Sequence, residues 1–324
     1  MAMLALAAAV AQAEEHAPVR ASISDCERPA AAPRDDDQIW LINTRCLGCP
    51  ARDLLTESKL SIWRYTKQDG TTGAWSKSSA ADFVAAQSPE RRICFLLHGA
   101  RTEHYEATRR GFVTHRAVTS SAPADQPMTF VTWSWPTAPA GRPLRDLRAM
   151  ASRSDIESCY LAGLLARLDP QTPVSLLGFS YGARAATGAM HLLGGGTLLG
   201  RTLPSDDNSQ RPLVTAILWT PAMNNDWLIP GRYHGEAVNC VDRMLVLYNP
   251  CDRAMRFYHL VAPSRKYGGM GYSGLASPGR LGNAVERVEQ YNTSGQLGGE
   301  HSFVNHLNSR WIMEKTRSAV WSAR

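Results

Sequence analysis

The sequence predicts an α/β fold: a mainly parallel, eight-stranded sheet with helices on both faces. Three features predict it. Several apolar runs are continuous rather than alternating, as strands buried on both faces require. Helical stripes separate those runs. At Gly178-Phe179-Ser180-Tyr181-Gly182 a strand-like run passes directly into a helix-like one.

The elements follow in order. Residues 1–36 precede the fold as a signal-like segment and a flexible lead-in, and one domain occupies 37–324. Ala2 to Ala11 is apolar and runs into Ala11-Gln12-Ala13, the small-x-small form of a signal-peptidase site, so export to the periplasm or beyond is expected. QIWLINTR (38–45) and LSIWRYT (60–66) carry the aromatic and β-branched residues of strands. RICFLLH (92–98), MTFVTWSW (128–135), PVSLLG (173–178), PLVTAILWT (212–220) and RMLVLYN (243–249) are the buried strands. AVERVEQY (284–291) alternates, which suits an edge strand. Ser154-x-x-Glu157 has the form of a capping box, followed by a stripe of Ile156, Leu161, Leu164, Leu165 and Leu168. Residues 182–193 form a helix of small side chains suited to close packing, and Phe303, Leu307 and Trp311 mark an amphipathic C-terminal helix. Two Gly-rich stretches, 194–212 and 262–283, are expected at the N-terminal edges of the strands, away from where such sheets bind ligands.

Composition excludes several classes. Hydrophobic residues at 44% and charged residues at 20% are those of an ordinary globular protein. The formal net charge of +6 comes from scattered arginines, with no basic run interleaved with aromatics, so nucleic acid is not an expected partner. No stretch offers eighteen uninterrupted apolar residues, so no membrane insertion is expected. Of the seven cysteines, Cys46 and Cys49 form a C-x-x-C. No second pair completes a zinc site, and no thioredoxin-like unit surrounds it. A disulfide of Cys46 with Cys49 or Cys26, or buried thiols, is the simpler expectation, and no metal or cofactor is called for.

The chemistry centres on Ser180. A chain that turns from strand to helix in one step strains the turn residue and crowds positions two away, which must then be glycine. The serine hydroxyl is left exposed above the sheet beside a helix N-terminus, where the helix dipole favours developing negative charge. Such a serine needs a base, and the base needs an orienting acid, expected in the chain order Ser, acid, His. Asp252 follows the strand 243–249 through a short turn. Asp242 precedes that strand and falls at the wrong edge. His301 opens the last helix after a Gly-rich turn, whereas His306 lies more than one turn inside it. The oxyanion donors are expected at the backbone N–H groups of Tyr181 and Ala100. His98, which ends a buried strand, reads as a structural hydrogen-bonding residue. The expected pocket lining is Trp135, Pro136, Thr220, Pro221, Met223 and Trp227, an apolar wall suited to small uncharged esters; the alternative is that these tryptophans are simply core.

Together these residues resemble the α/β-hydrolase superfamily from about residue 38 onward. More narrowly, H-G-A-R-T-E (98–103), W-S-W-P (133–136) and G-F-S-Y-G resemble a poorly characterised bacterial group of esterase/lipase-like hydrolases. The resemblance implies an α/β-hydrolase fold, a Ser180–Asp252–His301 triad and a cofactor-free hydrolytic reaction, without identifying the substrate; the residues themselves are read as cleaving a small-molecule ester through an acyl-enzyme. An amidase or peptidase on the same fold, and a non-catalytic scaffold used for binding, are the rival readings.

Overall fold

The computed structural model describes residues 33–50, 59–68, 72–137, 141, 143–204, 211–261 and 268–321. The candidate export segment and Cys26 lie outside them. The sheet has nine strands in the order β3-β2-β1-β5-β4-β6-β7-β8-β9. They are β1 Gln38–Asn43, β2 Ser61–Gln68, β3 Thr72–Ser78, β4 Arg92–Leu97, β5 Met128–Ser134, β6 Val174–Phe179, β7 Val214–Trp219, β8 Val241–Tyr248 and β9 Val288–Asn292. Neighbours from β1 to β9 run parallel, and β2 and β3 extend the β1 edge as antiparallel strands.

Each central strand is buried on both faces, and successive side chains alternate between two cores. Ile93, Phe95 and Leu97 of β4 join one, and Cys94 and Leu96 the other. The same alternation sends Val174 and Leu176 of β6 one way and Leu177 and Phe179 the other. Helices α1 (Ala80–Ala85), α3 (Pro143–Leu165) and α4 (Tyr181–Leu193) cover the first face. Helices α2 (His104–Thr119), α5 (Phe303–Asn308) and α6 (Arg310–Val320) cover the second. Every residue of α4 is buried. Its small residues permit that: a Cβ added at Gly188 would stand 2.3 Å from Ser158 Oγ of α3. Among the described residues no helix is long and apolar enough to cross a membrane.

Four expectations are corrected. The sheet has a ninth strand, β3, whose sequence TGAWSKS is mostly polar. It forms because it pairs with β2 and sets Trp75 against Tyr65, ring centres 5.4 Å apart. The strand expected at 284–291 begins at Val288, because the preceding residues form a 3₁₀ turn. Ser154 caps no helix. It lies inside α3, buried, and its hydroxyl donates to the Ala151 carbonyl at 2.7 Å. Glu157, expected to complete the cap, is instead a buried carboxylate. It accepts from Thr44 Oγ1 at 2.7 Å, Trp133 Nε1 at 2.8 Å and Arg153 Nε at 2.6 Å. Burial raises its pKa, and these donors offset that only in part.

The fourth correction concerns the second Gly-rich stretch. Gly271 N–H donates to the Pro221 carbonyl, Met270 N–H to that of Met223, and Asn249 N–H to the Gly271 carbonyl. Those partners follow the ends of β7 and β8, so residues 269–274 sit at the C-terminal edge. The first stretch does lead from the end of α4 to the start of β7.

The Glu157 cluster ties β1 and β5 to α3, and Arg153 also donates to the Thr44 and Leu47 carbonyls. Arg153→Ala should therefore lose about 3–5 kcal/mol in urea unfolding, because it strands a buried carboxylate. Adding Glu157→Gln should recover part of that loss. A single-variant loss below about 1 kcal/mol, within the range of an exposed pair, would show that the cluster bears little load.

Candidate active site

β6 ends at Phe179 and α4 begins at Tyr181, so Ser180 alone makes the reversal. Its backbone takes φ 55° and ψ −118°, a conformation that side-chain-bearing residues avoid. The flanking glycines show why the turn admits nothing larger. A Cβ on Gly178 would come within 2.5 Å of Ala183 Cα, and one on Gly182 within 2.0 Å of the Leu97 carbonyl oxygen. The end of β7 holds the turn from the other side. Ser180 N–H donates to the Trp219 carbonyl at 3.0 Å, and Ala222 N–H donates to the Ser180 carbonyl at 3.1 Å. Thr220, between them, is itself at φ 40°.

The ends of three neighbouring segments bring Ser180, Asp252 and His301 together. His301 Nε2 is 2.9 Å from Ser180 Oγ, and His301 Nδ1 is 2.7 Å from Asp252 Oδ2. Asp252 is fully buried at the end of the turn after β8. Its other oxygen, Oδ1, accepts from the N–H groups of Ala254 at 2.9 Å and Met255 at 2.8 Å, which fixes the carboxylate plane. His301 lies over the Phe179 ring with centres 4.9 Å apart and planes 28° apart. A line of hydrogen bonds thus runs from a buried carboxylate through an imidazole to a hydroxyl at the pocket.

Two other histidines stand close by in different surroundings. His306 is fully buried, donates from Nδ1 to the Ser302 carbonyl at 2.7 Å, and stacks on Trp219. Burial pushes its pKa down to about 4. His98 stacks on Trp135, donates from Nδ1 to the Gly99 carbonyl at 2.9 Å, and accepts Trp135 N–H at Nε2, 3.2 Å. Burial pushes its pKa down to about 3. Both are neutral at neutral pH and are occupied in bracing backbone.

A narrow pocket opens over Ser180. Ala100 and Tyr181, the expected donors, line it together with Ser180 and His301. The remaining wall differs from expectation: it is Leu147, Phe179, Ala222, Ala254, Met255, Tyr258 and Val261. Trp135 is fully buried, its indole N–H given to the His98 carbonyl at 3.0 Å. Met223 is core, beneath Thr187. Trp227 packs against Tyr233, His234 and the Arg184 guanidinium. Pro221 gives its carbonyl to Gly271 N–H and Met223 N–H, and Thr220 is wholly buried. Pro136 is not among the lining residues either. The wall comes instead from the start of α3 and from the segment after Asp252. The latter has a readable signal, since Ala254, Met255, Tyr258 and Val261 recur at intervals of three and four in CDRAMRFYHLV.

Cys46, Cys49 and Cys251 are exposed thiols, whereas Cys94, Cys159 and Cys240 are buried thiols whose pKa burial pushes up to about 12. Among the described residues no group of three or more His, Cys, Asp or Glu side chains could hold a metal ion.

No protein-family model matches this chain, and no curated protein matches it. A solved truncated form of a carbohydrate esterase from gut microbiota superposes with a TM-score of 0.39 at 11% identity, over 89% of this chain and 97% of that one. A bifunctional GH43-CE from Bacteroides eggerthii gives a TM-score of 0.35 at 11% identity over 74% of this chain. This chain spans 35% of that protein's length. Likenesses this loose say nothing about what this chain acts on.

The glycine geometry yields a direct test. Gly182→Ala and Gly178→Ala should each cost about 1–3 kcal/mol or more, since backbone rather than side chain must move aside. Gly279, where a Cβ would meet nothing within 4 Å, serves as the control site. Thermal unfolding of Gly182→Ala that matches Gly279→Ala would mean that the turn is looser than described.

Proposed function

We propose that this protein is a serine hydrolase with an α/β-hydrolase fold that cleaves carboxylic esters through an acyl-enzyme. One observation carries the reading: the unbroken line Asp252–His301–Ser180 ends on a hydroxyl held in a strained turn at the mouth of a pocket.

Each part of the reaction has a residue suited to it. Asp252 accepts the His301 Nδ1–H, which leaves Nε2 as the proton acceptor facing Ser180 Oγ. Buried and held by two amides, Asp252 also stabilises the imidazolium that forms when His301 takes the serine proton. Oγ attacks the ester carbonyl, His301 passes the proton to the departing alcohol oxygen, and water repeats the cycle on the acyl-serine. The oxyanion is assigned to two backbone N–H groups. Tyr181 N–H opens α4, where first-turn amides have no partner within the helix. Ala100 follows Gly99, whose missing side chain lets that loop close on the nucleophile: a Cβ there would stand 3.2 Å from Ser180 Cβ. The acyl group has an apolar seat against Leu147, Met255, Tyr258 and Val261.

Kinetics on a p-nitrophenyl acetate and butyrate pair test this. Ser180→Ala should abolish turnover with little change in unfolding temperature, and Asp252→Asn and His301→Ala should each lower kcat on the order of a thousandfold or more. His306→Ala should lower kcat far less. Equal losses from His306→Ala and His301→Ala would overturn the assignment of the base.

A further inference from the structure

Three pocket-lining residues, Ala100, Leu147 and Ala254, come from three separate segments, and each has an arginine beside it in the chain: Arg101, Arg148 and Arg253. Two of the arginines have defined contacts with the segments that line the pocket. Arg148, exposed on α3, donates from Nη2 to the Leu260 carbonyl at 3.3 Å, so it spans from the Leu147 wall to the Val261 wall. Arg253, also exposed, gives its backbone N–H to the Gly299 carbonyl at 3.1 Å. Its Nε lies 3.0 Å from where a Cβ on Gly299 would stand, so its side chain rests on the turn leading into His301. Arg101 follows Ala100 on a third side, with its backbone at φ 55°.

Among the described residues none of these three joins an ion pair, whereas Arg110, Arg153, Arg184 and Arg243 all do. Arg145 and Arg256 add exposed positive charge on the same two segments as Arg148 and Arg253. The nearby carboxylates are Asp252, which is held by His301 and two amides, together with Glu103, Asp146 and Glu300, and Glu300 is engaged by Asn305 Nδ2 at 2.6 Å. Apart from Tyr258, Ser180, His301 and the backbone N–H groups assigned to the oxyanion, the pocket lining is apolar. The rim offers guanidinium groups, whose planar forks match carboxylate, sulfate or phosphate.

We propose that the site selects esters whose alcohol part carries an anionic group, read at the rim by Arg148 and Arg253. The proposal rests on the reading of Ser180 as an ester-cleaving nucleophile. In acylation the Oγ–carbon bond forms as the carbon–alkoxide bond breaks, and the serine proton passes through His301 to the alcohol oxygen. The acyl part stays against the apolar wall while the alcohol leaves by the mouth, past the arginines. The apolar wall alone points to uncharged esters; the rim adds a charge preference on the leaving side.

The test compares 4-acetoxybenzoate with its neutral isostere 4-acetoxybenzamide. At low salt kcat/KM should favour the anion by roughly tenfold. The preference should shrink toward unity near 0.5 M NaCl, where the screening length falls to a few ångströms. In the Arg148→Gln/Arg253→Gln variant the ratio should approach unity already at low salt. It should persist in Arg116→Gln, an exposed arginine in the last turn of α2 at the opposite edge of the sheet. Equal kcat/KM for the two esters, insensitive to salt, overturns the proposal and leaves ester hydrolysis standing. Hydrolysis of neither ester overturns both.

Discussion

A serine at φ 55° and ψ −118° stores strain on the order of 1–3 kcal/mol, and the chain around Ser180 is arranged so that it has no way to release it. Relaxation would require Ser180 to give up its amide bond to Trp219 or its carbonyl bond to Ala222, each with a neighbouring strand end. It would also require α4 to swing away from Leu97, against which Gly182 already lies at backbone contact. The strain at Thr220 belongs to the same arrangement, because the loop that clamps Ser180 is bent to reach it. Residues 269–271 are bonded onto that loop in turn. The conformation of one residue is therefore held by β4, β6, β7 and the segment between β8 and β9.

The rest of the site inherits its precision from the parallel sheet. Because β6 and β8 run in the same direction, Ser180 and Asp252 emerge at the same edge, and the turn after β9 brings His301 between them. The two apolar cores on either side keep those strands from sliding, and the buried Glu157 cluster holds α3, hence Leu147, over the pocket. The loop after β4 is braced separately. Trp135 and His98 exchange hydrogen bonds across the ends of β5 and β4, and Arg101 N–H reaches the Thr137 carbonyl. A rigid frame of this kind favours preorganised donors over ones that must assemble on binding.

What the sequence made legible was local or directional. Gly178 and Gly182 announce the turn by their spacing around Ser180, although what bars a side chain at Gly182 is the end of β4 at Leu97. Asp252 and His301 could be found because each follows a strand end in the required order. The buried strands were readable as continuous apolar runs. The pocket wall was not, because Leu147 reaches it from a helix start whose direction depends on how α3 crosses the sheet. The tryptophans expected there are instead consumed by the core and by backbone partners. Ser154 and Glu157 match a capping box in spacing alone, and only the fold reveals that Thr44 and Trp133 lie opposite. β3 is mostly polar, so pairing with β2 rather than its own pattern makes it a strand.

Ser180 is proposed here as a nucleophile activated by its surroundings, not merely a turn residue. Intact-mass measurement after incubation with a fluorophosphonate, followed by peptide mapping, tests this most directly. One adduct per chain is expected, located on Ser180 and absent from the Ser180→Ala protein. A folded protein that stays unmodified, or one modified equally in the Ser180→Ala variant, would contradict it.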